Sequence, residues 1–265
     1  MHCSGRDAYH VWPHAQSCQA VARRAWLPTL FICGVCGLAA LLSVGYKDAV
    51  RFVLIAAKQL AFAKTRLAQT LTASVERMAL AEAMFRDVLG ASLSAHAADR
   101  VAVVSSDQVL LELARAGGAL TIDEEFPRGL NVAVAMATEV LVSHGASTVS
   151  VVLSDIPMVT GEDIDAVFAA MPEEERGVVL VPSLDLSGTN IIARRPASAI
   201  ATHFGRQSLV RHIADCKSNG LPYRVVRLAR PAIDLDTPGD LIEFARTPTM
   251  THTFSHLARL GMVQS

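Results

Sequence analysis

The sequence predicts an α/β protein built as a three-layer sandwich around a mostly parallel sheet. Three observations carry that expectation. From Arg51 onward, short apolar runs alternate with segments whose apolar residues recur at helical spacing. Two of those runs, Phe52 to Ala57 and Val149 to Leu153, are near-continuous apolar stretches, the pattern of strands covered on both faces. No internal repeat or low-complexity linker breaks the alternation.

In chain order, Phe52 to Ala57 reads as the first strand. Residues 72–89 read as a helix with Val75, Met78, Ala79, Met84, Phe85 and Val88 on its core face. Val101 to Val104 is a strand, and residues 107–116 form a helix that Gly117-Gly118 ends. A short strand over 119–122 and a helix over 130–143, stopped by Gly145, lead into the strand at 149–153. Thr160 opens the next helix, with Asp163 three residues on to complete a capping box. Strands follow at 178–181 and 190–193, a helix at 208–218, a strand at 223–228 and a helix at 238–246, where Thr237 caps and Pro238 takes the first turn. The tail, 247–265, is polar with scattered apolar residues and says nothing of function.

The chain has 265 residues and a formal net charge of -1. Nucleic acid is therefore not expected as a partner, because binding a polyanion needs many uncompensated cations. Of five cysteines, Cys3, Cys18, Cys33 and Cys36 precede the first strand, and only Cys216 lies in the body. That excludes a disulfide framework in the body and fits a reducing, cytoplasmic setting. Residues 1–49 form a leader ahead of one domain at 50–246. Its uncharged run from Trp26 to Gly45 is about the ~20 residues that cross a bilayer. Two readings stay open: a poorly ordered or over-extended leader, or a membrane-associated segment. Arg23 and Arg24 before the run, with Lys47 and Arg51 after it, give no orientation. A start shorter than Met1 would need a codon other than Met, since the next Met is Met78. Cys33-x-x-Cys36 has no βαβ context and reads as incidental.

Lys58, Lys64 and Arg66 occupy the loop after the first strand, at the carboxyl edge where open α/β sheets bind ligands and polyphosphates in particular. Leu153-Ser-Asp155-Ile-Pro157 places an acid just past a second strand on that edge; a cap for the next helix is the competing reading. In Asp234-Leu-Asp236, an extended backbone would send both carboxylates to one face, suited to Mg²⁺; a cap at Asp236 with Asp234 solvated is the alternative. Ser187-Gly-Thr189-Asn190 is a turn able to offer a hydroxyl and N–H groups to an anion, or simply a turn. His203-Phe-Gly205-Arg-Gln-Ser208 precedes a helix and makes a second phosphate seat through Gly205 and Ser208. His203 has no His at metal spacing and reads as structural. Asn131 either caps its helix or contacts a nucleotide.

The order of these segments is more specific than any one of them. AAKQLAFAKTRLA, SSD, GLN, LSDIPMV, SGTN, HFGRQS and LDLDTPGDL together resemble the 2-phospho-L-lactate guanylyltransferase (CofC) family over about Arg51 to Arg246. The resemblance implies a nucleotidyltransferase fold of the glycosyltransferase A type. It also implies transfer of GMP from GTP to the phosphate of a small phosphorylated acid: 2-phospho-L-lactate, phosphoenolpyruvate or 3-phospho-D-glycerate. Carried over, Asp155, Asp234 and Asp236 would hold Mg²⁺, and Lys58, Thr189, Gly205 and Ser208 would contact the acceptor. Lys64 and Arg66 would neutralise the GTP phosphates, and Asn131 would lie near the nucleoside. The family also admits a homodimer. Gln59 departs from the basic or proline residue common at its place. A nucleotidyltransferase of the same fold using another nucleotide or acceptor, and a membrane-tethered nucleotide-binding protein, are the competing functions.

Overall fold

The computed structural model describes residues 50–247 and 249–263. The leader, with its apolar segment and Cys33/Cys36, lies outside the described residues. Strands β1 (Val50–Ala56), β2 (Arg100–Ser105), β3 (Leu120–Asp123), β4 (Ala146–Leu153), β5 (Gly177–Pro182), β6 (Thr189–Arg195) and β7 (Tyr223–Val225) form one sheet in the order β3-β2-β1-β4-β6-β5-β7. All neighbouring pairs are parallel except those made by β6, which runs antiparallel to both β4 and β5.

Side chains alternate across the strands, so each strand feeds two cores. Val53 and Ile55 of β1 join Val101 and Val103 of β2 on one face, while Phe52 and Leu54 join Ala102 and Val104 on the other. Helices α1 (Ser74–Ser94), α2 (Gln108–Ala116), α4 (Gly161–Ala169) and α6 (Pro238–Ala245) cover the first face; α3 (Leu130–Ser143) and α5 (Ser208–Ser218) cover the second. The result is the expected sandwich. Each fully buried Phe, Leu or Ile contributes ~1.5–3 kcal/mol of hydrophobic stabilisation, and both faces of β1 supply them.

Helix starts follow from their caps. The Asp107 side chain accepts the Val109 N–H at the head of α2. Both boxes form: Thr160 with Asp163 on α4, and Thr237 with Asp240 on α6, where Pro238 fills the first turn. Strand β4 begins three residues earlier than expected, and β7 ends at Val225 rather than Leu228 because the chain turns through 229–232.

Two expectations need correcting. Val75 is not on the core face of α1 but 68% exposed, since it sits in the first turn, before the helix meets the sheet. The tail is not featureless: His252–Arg259 forms α7, with Thr251 as its cap and Phe254 and Leu257 buried in the α1-side core. Asp87 of α1 anchors it, accepting from the N–H groups of His252 and Thr253 and from the Thr253 hydroxyl. Among the described residues no helix is long and apolar enough to cross a membrane. Cys216 of α5 is fully buried, and burial, with the charge of Asp215 second, pushes its thiol up to about 11.

Candidate active site

The carboxyl ends of β1 and β4 and the amino end of β6 lie on one edge of the sheet. Antiparallel β6 accomplishes this, its first residue Thr189 pairing with Pro182 at the end of β5 and its Ile191 with Val152 near the end of β4. The chain leaving β1 runs through two short 3₁₀ turns, Leu60–Phe62 and Thr65–Leu67. Leu60 and Leu67 are buried, and the Leu60 N–H is held by the Asp107 carboxylate at 2.9 Å. Between the turns Lys64 adopts a left-handed backbone, φ 54°.

That geometry aims the Lys64 ammonium at two acids from distant parts of the chain. Nζ lies 3.0 Å from Asp155 Oδ2 and 2.7 Å from Asp236 Oδ1, with the Lys64 side chain 6% exposed. Arg66 approaches the other oxygen of Asp236 at 3.5 Å. The Asp234–Asp236 segment is docked by a backbone bond from Leu235 N–H to the Asp155 carbonyl at 3.0 Å, with Leu235 fully buried. Capping does not occupy Asp155 or Asp236: Thr160 and Thr237 head the following helices.

Charge states follow from these contacts. Burial lowers the Lys64 pKa, but the facing carboxylates of Asp155 and Asp236 outweigh it, and the net shift is upward. Burial raises Asp236, yet Lys64, then Arg66 and Lys58, hold it below the usual carboxylate range. Among the described residues no cation pairs with Asp234. Burial first, then the charges of Asp155 and Asp236, push it up to about 6, and the Asn190 amide at 3.5 Å offsets only part of that.

Among the described residues no three His, Cys, Asp or Glu side chains gather closely enough to hold a metal ion by themselves. Asp155 and Asp236 close on the Lys64 ammonium, with the raised Asp234 carboxyl alongside. Lys58, exposed, and Arg66, 72% exposed, remain turned toward solvent at the same cleft. The cleft encloses about 290 Å³ and is lined by Lys58, Lys64, Arg66, Ser154, Asp155 and Asp236 among others.

His212 of α5 ties Thr189 to the 203–208 turn that carries Gly205 and Ser208. His212 Nε2 accepts the His203 N–H at 2.8 Å, so Nδ1 carries the proton and donates to Thr189 Oγ1 at 3.1 Å. The Thr189 hydroxyl thereby keeps its own proton for an outside acceptor. Burial, then the charges of His203 and Arg194, lower the His212 pKa to about 4, so the ring is neutral. Gly205 has φ +118° and Gln207 φ 52°, a turn that brings Ser208 to the head of α5. The Ser208 hydroxyl is buried with no partner among the described residues. In the Ser187–Asn190 turn, the N–H groups of Ser187 and Gly188 are taken by Asp185 and Ser183, which leaves the Thr189 hydroxyl as its anion donor.

Asn131 bonds within the protein. Its amide donates to the Phe204 carbonyl at 3.1 Å and its oxygen accepts the Phe204 N–H at 2.7 Å. Both polar ends are used in holding the 203–208 turn, so it positions that turn. His203 is structural as expected, bonded to Asp215 at 2.6 Å. Sequence reasoning missed Asn190, whose amide holds the Pro231 and Ala232 carbonyls as well as Asp234, and His212. Thr189 and Asn190 are consecutive, so the start of β6 ties the acidic segment to the 203–212 segment. A signal existed in SGTN, where polar residues open a buried strand.

The sequence profile of the family described as guanylyl transferase CofC like matches residues 51–265. A phosphoenolpyruvate guanylyltransferase from Sphaerobacter thermophilus is 40% identical over 71% of this chain and 89% of its own length. A 3-phospho-D-glycerate guanylyltransferase from Phenylobacterium zucineum is 35% identical over 75% of this chain and 91% of its own. Among solved structures, a candidate nucleotide-diphospho-sugar transferase from Desulfovibrio desulfuricans G20 superposes with a TM-score of 0.65 at 17% identity, covering 80% of this chain and 95% of that one; it supports the fold. With the profile spanning the whole described domain and relatives of this identity, the chain belongs to the CofC-like guanylyl transferase family.

Proposed function

We propose that this protein transfers GMP from GTP to the phosphate of a small phosphorylated carboxylic acid, with release of pyrophosphate, in the cytoplasm and as a step of coenzyme F420 biosynthesis. The observation that carries the reading is the Lys64 clamp between Asp155 and Asp236, set in a cleft with Lys58 and Arg66. An acceptor phosphate oxygen attacks the α-phosphorus of GTP; the bond to the β-phosphate oxygen breaks and pyrophosphate leaves. Two anions must be brought together, so neutralisation and alignment matter more than a base. Lys58 and Arg66 supply mobile positive charge at the cleft. Thr189, Ser208 and the open backbone at Gly205 seat the acceptor's anionic groups, with Asn131 and His212 holding their turn.

Mg²⁺ fits this donor set. Asp155 Oδ1 is buried with no hydrogen-bond partner among the described residues, and one or two carboxylates plus phosphate oxygens are what Mg²⁺ takes. Asp155 and Asp236, with Asp234 beside them, would hold it. It would supply positive charge to offset the phosphates and the leaving pyrophosphate, with Lys64 adding its own charge at the same cleft. Relatives named for different acids make the acceptor an experimental question. Incubation with GTP, Mg²⁺ and each of phosphoenolpyruvate, 3-phospho-D-glycerate and 2-phospho-L-lactate, read by product mass and pyrophosphate release, tests the reading. No product with any of the three overturns it.

A further inference from the structure

Beside the basic loop lies a second cavity of about 140 Å³, which shares Ala57, Lys58, Phe62 and Leu130 with the lining of the cleft. Whole small-molecule sites begin at ~300 Å³, so this is the size of a subsite. Its walls are mostly apolar, with one acid among them: Glu124, 7% exposed. A carboxylate that buried is costly unless something bonds to it. The Arg128 N–H reaches Oε1 at 2.8 Å, and no group among the described residues bonds Oε2. The position is built: the Glu124 N–H donates to the Ser105 carbonyl, and Gly129, φ +97°, turns the chain into α3 just beyond. Phe62, 68% exposed, stands at the mouth, and Ser106 lines the same cavity.

Resting on the guanylyl-transfer reading, we infer that this cavity is the base subsite and that Glu124 selects guanine, its carboxylate accepting from the N1–H and 2-amino groups. Guanine carries two adjacent donors on one edge. Adenine would turn the N1 lone pair toward the carboxylate, and uracil flanks its single N–H with two carbonyls. Ser106 can serve O6, and Phe62 offers a face for stacking.

The test compares GTP with ITP, which lacks only the 2-amino group. Losing one hydrogen bond to a charged acceptor lowers wild-type kcat/KM for ITP about 10- to 100-fold. Glu124→Gln keeps Oε1 for Arg128 and replaces the second acceptor by a donor, bringing the GTP-to-ITP ratio close to one with the acceptor KM unchanged. Phe62→Ala, at an exposed site, raises KM for both nucleotides alike by about tenfold. Equal wild-type use of GTP and ITP, or a Glu124→Gln ratio matching wild type, overturns the base assignment while leaving guanylyl transfer standing. No turnover of any guanine nucleotide overturns the reading beneath it, and the assignment with it.

Discussion

Lys64→Met removes the ammonium held between Asp155 and Asp236 while keeping most of the stem's volume. The ammonium is bonded at 3.0 and 2.7 Å, its side chain 6% exposed against 26% for Asp155 and 37% for Asp236. Breaking a buried pair by removing one partner costs ~3–5 kcal/mol. Asp236 is more than a third exposed, so water solvates part of the orphaned charge and the expected loss is about 2–3 kcal/mol. For a domain near 200 residues, with ~2–4 °C per kcal/mol, the midpoint falls by about 5–10 °C. The two carboxylates then lose their buried counter-charge, with the exposed Arg66 still 3.5 Å from Asp236, and together favour a divalent cation. Mg²⁺ at 100 times its Kd returns ~2.7 kcal/mol, nearly the whole deficit. The assay is thermal unfolding in EDTA followed by Mg²⁺ titration, on wild type and variant in parallel. Wild type gains less, because Lys64 competes for the same oxygens. A variant as stable as wild type in EDTA, or an identical Mg²⁺ gain in both, refutes the clamp as a cation site.

Asp236→Asn retains an acceptor for Lys64 but loses the charge; turnover should drop by at least ~100-fold with a stability change near ~1 kcal/mol, measured by pyrophosphate release and urea unfolding. His212 has a folded pKa depressed to about 4 from 6.5, so its contribution is complete above pH 6.5 and is lost as pH falls toward 4. At 1.36 kcal/mol per unit that is about 3 kcal/mol, so urea midpoints of wild type should fall more steeply over this window than those of His212→Gln. Phe254→Ala empties the contact between α7 and the α1-side core and should cost about 3 kcal/mol without changing KM for either substrate; an unchanged melting temperature would show that α7 is not docked.

The sheet and the edge carrying the chemistry were legible because near-continuous apolar runs and capping boxes are local signals. Phe52 to Ala57, Thr160 with Asp163 and Thr237 with Pro238 all formed as read. The family order of short motifs brought Asp155, Asp234 and Asp236 to one edge on paper. What stayed hidden was decided by long-range partners. Lys64 meets acids 91 and 172 positions away, and nothing local distinguishes a clamped lysine from a free one. Asn131 gives both ends of its amide to Phe204, 73 positions on. Helix α7 is eight residues, too short to stand alone, and is held by Asp87, 165 positions away, and by the burial of Phe254 and Leu257.

The buried thiol of Cys216 has a practical consequence. Fully buried and with its thiol raised to about 11, it should react slowly with maleimides and iodoacetamide in the folded enzyme. Fast alkylation of the native chain then maps to Cys3, Cys18, Cys33 or Cys36, which makes the body a quiet background for following the leader.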